Sequence, residues 1–243
     1  MIRMLAALIF VIIFLLVSLI LIPVGLLIGR INKKAGDWYA QAIVAWAFKV
    51  VGFIAGAKVT ETGREKLPRD EAVLYVANHR SIFDIVLLDA RIPAPTAIVA
   101  KKEMKKVPIL SWWMILKHCK FLDREDLKQN LQIILECIEH AKNGQTILIY
   151  PEGTRSKSES ELDIAPFKEG SMKIALKSGI KVVPVALLGT RDLLEKQFPR
   201  IRPGKVTISY GDPIDPRTLD KEQQKHLGEL CREKILEMLD PDN

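Results

Sequence analysis

The chain has 243 residues, 49% of them hydrophobic and 27% charged, with a formal net charge of +7. That length holds one large domain or two small ones, and the composition excludes a disordered or low-complexity chain. Three scattered cysteines, Cys119, Cys137 and Cys231, exclude a disulfide framework and a Cys-based zinc site, and fit a reducing, cytosol-facing setting.

The excess charge is unevenly placed. Residues 1–60 carry six Lys and Arg against Asp37 alone, whereas the rest of the chain carries 30 against 28. The cationic surplus therefore sits beside the most apolar segment, where anionic headgroups would lie, and no Arg/Lys stripe or RNA-binding signature appears elsewhere. A membrane partner is expected, not a nucleic acid.

From Met4 to Ile28 no residue is charged. As a helix this run spans about 37 Å, enough for a hydrocarbon core of about 30 Å. It is too long for a signal peptide, and no small-x-small cleavage site precedes Arg30. Pro23 and Gly25 are expected to kink or end the helix. Arg30, Lys33 and Lys34 follow at once, so the positive-inside rule puts the body of the protein in the cytoplasm, at the cell membrane. Trp38–Val59 is also apolar but broken by Gln41, Lys49 and Lys58. It fits a core helix or a second helix lying in the membrane interface, and periodicity alone does not separate the two.

After Thr60 strands alternate with helices. Strands are expected at Ala72–Ala77, Thr96–Ala100, Phe121-Leu122, Thr146–Tyr150, Lys181–Leu187 and Val206–Tyr210. Helices are expected at Ile82–Ala90, Ile109–Leu116, Leu127–Ala141, Phe167–Lys177 and Asp220–Leu239. Asn143-Gly144 and Gly179 close two of them. Pro184 suggests that its strand lies at an edge or bulge. The pattern implies an α/β fold, a mostly parallel sheet flanked by helices, preceded by N-terminal membrane-associated helices. Residues 1–60 form the anchoring part and 61–243 the α/β domain, with no internal repeat and no long linker.

Four short motifs carry candidate chemistry. Asn78-His79-Arg80-Ser81-Ile82-Phe83-Asp84 directly follows a strand. His79 suits general-base work, and a carboxylate on its far ring nitrogen would hold the tautomer. On one regular helix an i, i+5 pair would be about 140° apart, so Asp84 can serve only from the first turn of a helix while His79 stays on the loop. Backbone N–H groups at that helix start are candidates for an oxyanion site. Tyr150-Pro151-Glu152-Gly153-Thr154-Arg155-Ser156 also leaves the end of a strand, where ligands of such sheets bind. Gly153 allows close approach, Thr154 offers a hydroxyl, and Arg155 supplies a fork that matches phosphate. Phe121-Leu122-Asp123-Arg124 delivers a second Arg, and Val182-Val183-Pro184-Val185-Ala186 is the fourth. In the basic run Lys101, Lys102, Lys105, Lys106, Lys105 is a further substrate-binding candidate. Each motif alone is equally well a packed His, a polar turn or a solvated charge.

Other chemistries have no signature. There is no G-x-S-x-G elbow, no H-E-x-x-H or Asp-rich metal loop, and no P-loop or G-x-G-x-x-G. His118, His140 and His226 have no nearby carboxylate pattern to single them out.

In their order along the chain, NHRSIFD, FLDR, YPEGTRS and VVPVAL resemble the glycerolipid acyltransferase family over roughly residues 60–210. The resemblance implies His79 as base and Asp84 as its orienting partner. It further implies Arg124, Glu152, Gly153, Thr154 and Arg155 as ligands of a glycerol phosphate acceptor, with Pro184 in a structural motif. It implies transfer of a fatty acyl group from acyl-CoA or acyl carrier protein to the sn-2 hydroxyl of 1-acyl-sn-glycerol 3-phosphate, giving phosphatidic acid, with no metal or other cofactor. The alternatives are another acceptor, glycerol 3-phosphate or a lyso-aminolipid, and a non-catalytic membrane lipid-binding protein. One departure is visible: His118 and Lys120 stand where the family pattern has Gly and an apolar residue.

Overall fold

A computed structural model describes residues 1–123 and 126–240. The described chain forms two compact units, each assembled from separate stretches. One gathers Met1–Lys58, Ser81–Phe121 and Thr190–Lys205; the other gathers Val59–Arg80, Leu122–Gly189 and the chain from Val206 onward.

The first unit opens with two helices, α1 (Ile2–Ile31) and α2 (Lys33–Ala55). Both are long and apolar enough to cross a membrane. Asn32 adopts extended backbone and ends one helix while capping the next, its side-chain oxygen accepting from Ala35 N–H at 3.1 Å. The chain thereby reverses, and at the other end Arg3 Nη1 donates to the Ile54 carbonyl at 2.7 Å. Near the reversal the helices touch through glycine: a Cβ on Gly36 would stand 2.6 Å from the Gly29 Cα, so only a bare backbone fits there. The helix continues through Pro23 and does not end there. Two turns of neighbouring contacts steady it: Tyr39 of α2 donates its hydroxyl to the Leu21 carbonyl at 3.0 Å, and Trp113 Nε1 donates to Ser18 Oγ at 2.8 Å.

The outward face of α1 leaves Leu8, Ile12, Leu16, Ile20 and Leu27 exposed. A contiguous apolar surface of that extent marks a membrane-associated helix. The opposite face of the pair packs on α4 (Leu110–Leu116), and α2 packs on α3 (Ile82–Asp89). Gln41 of α2 is buried there; its amide donates to the Asp89 carbonyl at 3.1 Å and its oxygen accepts from Thr96 N–H at 3.2 Å. This unit also holds β3 (Thr96–Lys101), Glu195 in a short 3-10 turn, and the buried ion pair of Lys117 with Asp89. Trp38–Val59 therefore splits: most of it is α2, and its tail enters a strand, β1 (Ala57–Thr62), that the apolar run concealed.

In the second unit the strands lie in the order β1-β7-β6-β2-β5, with β2 (Val73–Ala77), β5 (Thr146–Ile149), β6 (Lys181–Leu188) and β7 (Gly204–Tyr210). Strand β2 runs parallel to both β5 and β6, and β7 is antiparallel to β6. Every residue of β2 and β5 is buried, as expected for central parallel strands. Helices α5 (Leu127–Lys142), α6 (Glu169–Ser178) and α8 (Leu227–Leu239) cover this sheet, α6 against β2 and α8 against β6. The charged C-terminal helix is interrupted at His226, with α7 (Lys221–Lys225) before it.

Strand β6 is interior, not an edge, despite Pro184. Val182 exchanges both backbone bonds with Ile214, at 2.8 Å each, while the β7 ladder begins only at Val185. Pro184 stands between these two pairings, and its carbonyl accepts from Gly211 N–H at 2.9 Å.

Candidate active site

The first motif leaves the end of β2. Asn78 is buried and fastened at two points to β6, its amide donating to the Leu187 carbonyl at 3.0 Å and its oxygen accepting from Leu187 N–H at 2.8 Å. That clamp sets the direction of the loop carrying His79, which is half-buried.

The segment 150–156 then grips His79 on three sides. Its N–H donates to Glu152 Oε1 at 2.6 Å, its carbonyl accepts from Ser156 N–H at 2.8 Å, and its ring stacks on Tyr150 with centroids 4.3 Å apart at 30°. Glu152 is only 7% exposed, and its second oxygen accepts from Ala165 N–H at 3.2 Å. Arg80 is buried and turns away from the His79 ring's neighbours into the following loop, donating to the Ser158 and Ser160 carbonyls and pairing with Glu161 at 3.1 Å. His79, Glu152, Gly153 and the backbone leading to Arg155 are thus brought together within one unit.

Thr154 and Arg155 are exposed on the same turn. Gly153 has φ +77°, a conformation glycine adopts without cost. A Cβ there would meet Lys168 Nζ at 2.9 Å, so the glycine makes room for a lysine side chain as well as for a ligand. Lys168 is exposed and has no ion-pair partner among the described residues. Sequence reasoning missed it, because it stands 13 positions beyond Arg155 and only the reversal of the loop brings it back.

Asp84 occupies the third position of α3 and is fully buried. The first turn forms a capping box: Asp84 Oδ2 accepts from Ser81 N–H at 2.7 Å, and Ser81 Oγ accepts from Phe83 N–H at 3.0 Å. Glu195 adds a second acceptor, taking the Ser81 hydroxyl at 2.6 Å and Ile82 N–H at 2.8 Å. The helix-start donors expected to face an oxyanion are therefore already engaged by the protein's own oxygens. Asp84 thus lies in the first turn of α3, and His79 precedes that helix in the chain.

Lys105 is exposed in the 3-10 turn Lys102–Lys106 that follows β3. Arg124 lies outside the described residues. His118 has φ +59° and completes the C-terminal cap of α4, with Cys119 N–H donating to the Met114 carbonyl at 2.8 Å and His118 N–H to Ile115 at 2.9 Å. That left-handed position is the one a glycine would fill at least cost, which explains the family's preference there. Here the His118 ring meets Asp37 of α2 at 2.8 Å.

Known proteins share this chain's sequence pattern and fold. A family model described as Acyltransferase matches residues 58–188. A 1-acyl-sn-glycerol-3-phosphate acyltransferase of Chlamydomonas reinhardtii is 35% identical over 76% of this chain and 54% of its own length. One of Saccharomyces cerevisiae is 32% identical over 82% of this chain and 66% of its own length. The chain thus spans between half and two thirds of these relatives. The crystal structure of the 1-acyl-sn-glycerophosphate acyltransferase of Thermotoga maritima superposes with TM-score 0.78 at 27% identity, covering 98% of this chain and 97% of that one.

Proposed function

The chain belongs to the acyltransferase family, and on that premise we propose that it transfers a fatty acyl group from an acyl thioester to the sn-2 hydroxyl of 1-acyl-sn-glycerol 3-phosphate, giving phosphatidic acid. The observation that carries this reading is the turn 150–156, which holds His79, exposes Arg155 and has Lys168 over its Gly153. A base held by a turn that also carries exposed cationic groups suits a molecule with a hydroxyl at one position and a phosphate near by. The relatives' own names point to the same acceptor.

In this reading a ring nitrogen of His79 takes the hydroxyl proton as the acceptor oxygen bonds to the thioester carbon. The carbon–sulfur bond then breaks, and the departing thiolate takes the proton from the imidazolium, leaving a free thiol. Asp84, whose Oδ2 accepts from Ser81 N–H in the cap of α3, is the carboxylate we assign to steadying the imidazolium, the role the motif implies for it. Arg155, Lys168, Lys105 and Arg124 are the cationic candidates for the acceptor phosphate, with Thr154 and Gly153 on the turn beside them. General-base catalysis is worth about 10²–10⁴ in rate, so most of the remaining acceleration falls to this positioning. The thioester is already activated, and the proposed step uses side chains alone. The donor is acyl-CoA or acyl carrier protein.

The lipid acceptor and product stay in the bilayer, which gives the α1–α2 hairpin its purpose. Elements of the same unit contact it near both ends, His118 at Asp37 and Leu87 against Gly52. That leaves little free length for a crossing, so we read the hairpin as dipping into one leaflet on the cytoplasmic side of the cell membrane.

The test is to supply purified protein in phospholipid vesicles with acyl-CoA and lysophosphatidic acid, following free thiol and phosphatidic acid together. Both appear for the wild type, and His79→Ala loses both while keeping its circular dichroism and vesicle binding. Preferential acylation of glycerol 3-phosphate or a lyso-aminolipid would replace the acceptor, and absence of thiol release with every acceptor and donor would leave a lipid-binding protein.

A further inference from the structure

Glu152 belongs to a motif whose resemblance makes it a ligand of the acceptor, yet its surroundings describe a different task. The carboxylate is 7% exposed. One oxygen accepts from the backbone N–H of His79 at 2.6 Å and the other from the backbone N–H of Ala165 at 3.2 Å. A buried carboxylate held by backbone donors on both oxygens is well satisfied where it stands, and removing either bond to reach a ligand would expose an unpaired charge. Its partners are peptide groups of the protein, and one of them belongs to the residue read as the base.

We propose that Glu152 is a positioning residue that sets the orientation of His79, not a ligand of the acceptor. The inference rests on the reading of His79 as the base. The other contacts that hold His79 come from the same segment as Glu152: its carbonyl accepts from Ser156 N–H and its ring leans on Tyr150. The Glu152 bond is the contact that ties the peptide plane preceding the His79 side chain. Through Ala165 the same carboxylate also fastens the far end of the loop that Arg80 holds at Ser158 and Ser160. Base and cationic turn are thereby locked as one piece, with the bond lengths of a single carboxylate as the spacer. A misplacement of about 1 Å in such a constellation costs about 10² in rate.

The experiment is a kinetic comparison of wild type, Glu152→Gln and Glu152→Asp in vesicles, using whichever lysolipid acceptor the wild type turns over fastest. In parallel, hydrogen–deuterium exchange is measured on the peptide containing His79, a readout that does not depend on the acceptor or on turnover. Gln retains one acceptor oxygen but sets an NH₂ group against a backbone N–H, and Asp is too short to reach both donors. Both variants are expected to lower kcat by about 10²-fold while KM for the acceptor changes by less than about threefold. Amide exchange near His79 is expected to rise by about tenfold or more. A merely structural defect would instead lower the melting temperature and speed exchange throughout the second unit. A rise in acceptor KM with unchanged kcat and unchanged exchange would overturn the proposal and return Glu152 to ligand binding. Wild-type protein that turns over no lysolipid would overturn the functional reading, while faster exchange at His79 alone would still support the positioning role.

Discussion

Ser81 and Asp84 cap α3 reciprocally: Asp84 Oδ2 accepts from Ser81 N–H at 2.7 Å, while Ser81 Oγ takes Phe83 N–H at 3.0 Å. The carboxylate thus has a structural duty beside the chemical one proposed for it. Asp84→Asn separates them. To keep the cap the amide must turn its oxygen toward Ser81, which leaves NH₂ where Oδ1 was, a donor in place of an acceptor. The variant is expected to melt within a few degrees of wild type and to lose about 10²–10⁴ in kcat. Asp84→Ala should add a cap loss of about 1 kcal/mol. Activity of Asp84→Asn within threefold of wild type would remove the carboxylate from the mechanism.

Lys117 and Asp89 form an ion pair with side chains 4% and 0% exposed, and the Asp89 carbonyl also receives the Gln41 amide from the membrane-associated helix α2. A buried pair of this kind contributes little net stability, but stranding one partner is costly. Lys117→Met is expected to destabilise the protein by about 3–5 kcal/mol, with Asp89→Leu in the same chain recovering most of it. Urea unfolding of the two single variants and the double variant in detergent measures this. Equal additive losses in the double variant would mean that the pair is not coupled.

Two buried thiols predict an alkaline limit. Burial pushes Cys119 up from 9.0 to about 11, the nearby Lys117 charge opposing it, and pushes Cys231 up to about 12, assisted by Glu169. In the unfolded chain both ionise near pH 9, so above that pH the unfolded state holds fewer protons and stability falls. The contribution is complete below pH 9 and is lost as pH rises through 11 and 12, on the order of 3 kcal/mol for Cys119. Melting temperatures taken at pH 8, 9.5 and 11 should drop less steeply in Cys119→Ala than in wild type. Parallel slopes would assign the alkaline loss elsewhere, with Tyr75, raised to about 12 by burial, the next group to test.

Much of the fold was legible because its signals are local. The uncharged run of α1, the alternation of buried strands with helices, and Gly179 closing α6 at φ +78° all act over a few residues, where backbone preference and burial agree. The helix does not end at Pro23, and the Pro184 strand is not an edge. A proline removes one donor, and whether an element tolerates that depends on neighbours supplied from far along the chain, Tyr39 and Trp113 against α1 and β2 and β7 on either side of β6. Strand β1 was hidden because an apolar run reads alike as helix end or strand until β7 arrives to pair with it.

The chain's residues by themselves determined the chemistry on offer: a histidine on a loop, a carboxylate five positions later, and a glycine–threonine–arginine turn after a strand. Side-chain identity and strand–loop–helix order are written along the chain. Tertiary structure alone decided which of those groups remain available. It committed Glu152 to two backbone N–H groups, filled the start of α3 with Ser81, Asp84 and Glu195, and brought Lys168 over Gly153. Hydrogen bonds saturate, so a group's function depends on the partners already holding it, and those partners lie up to 114 residues away.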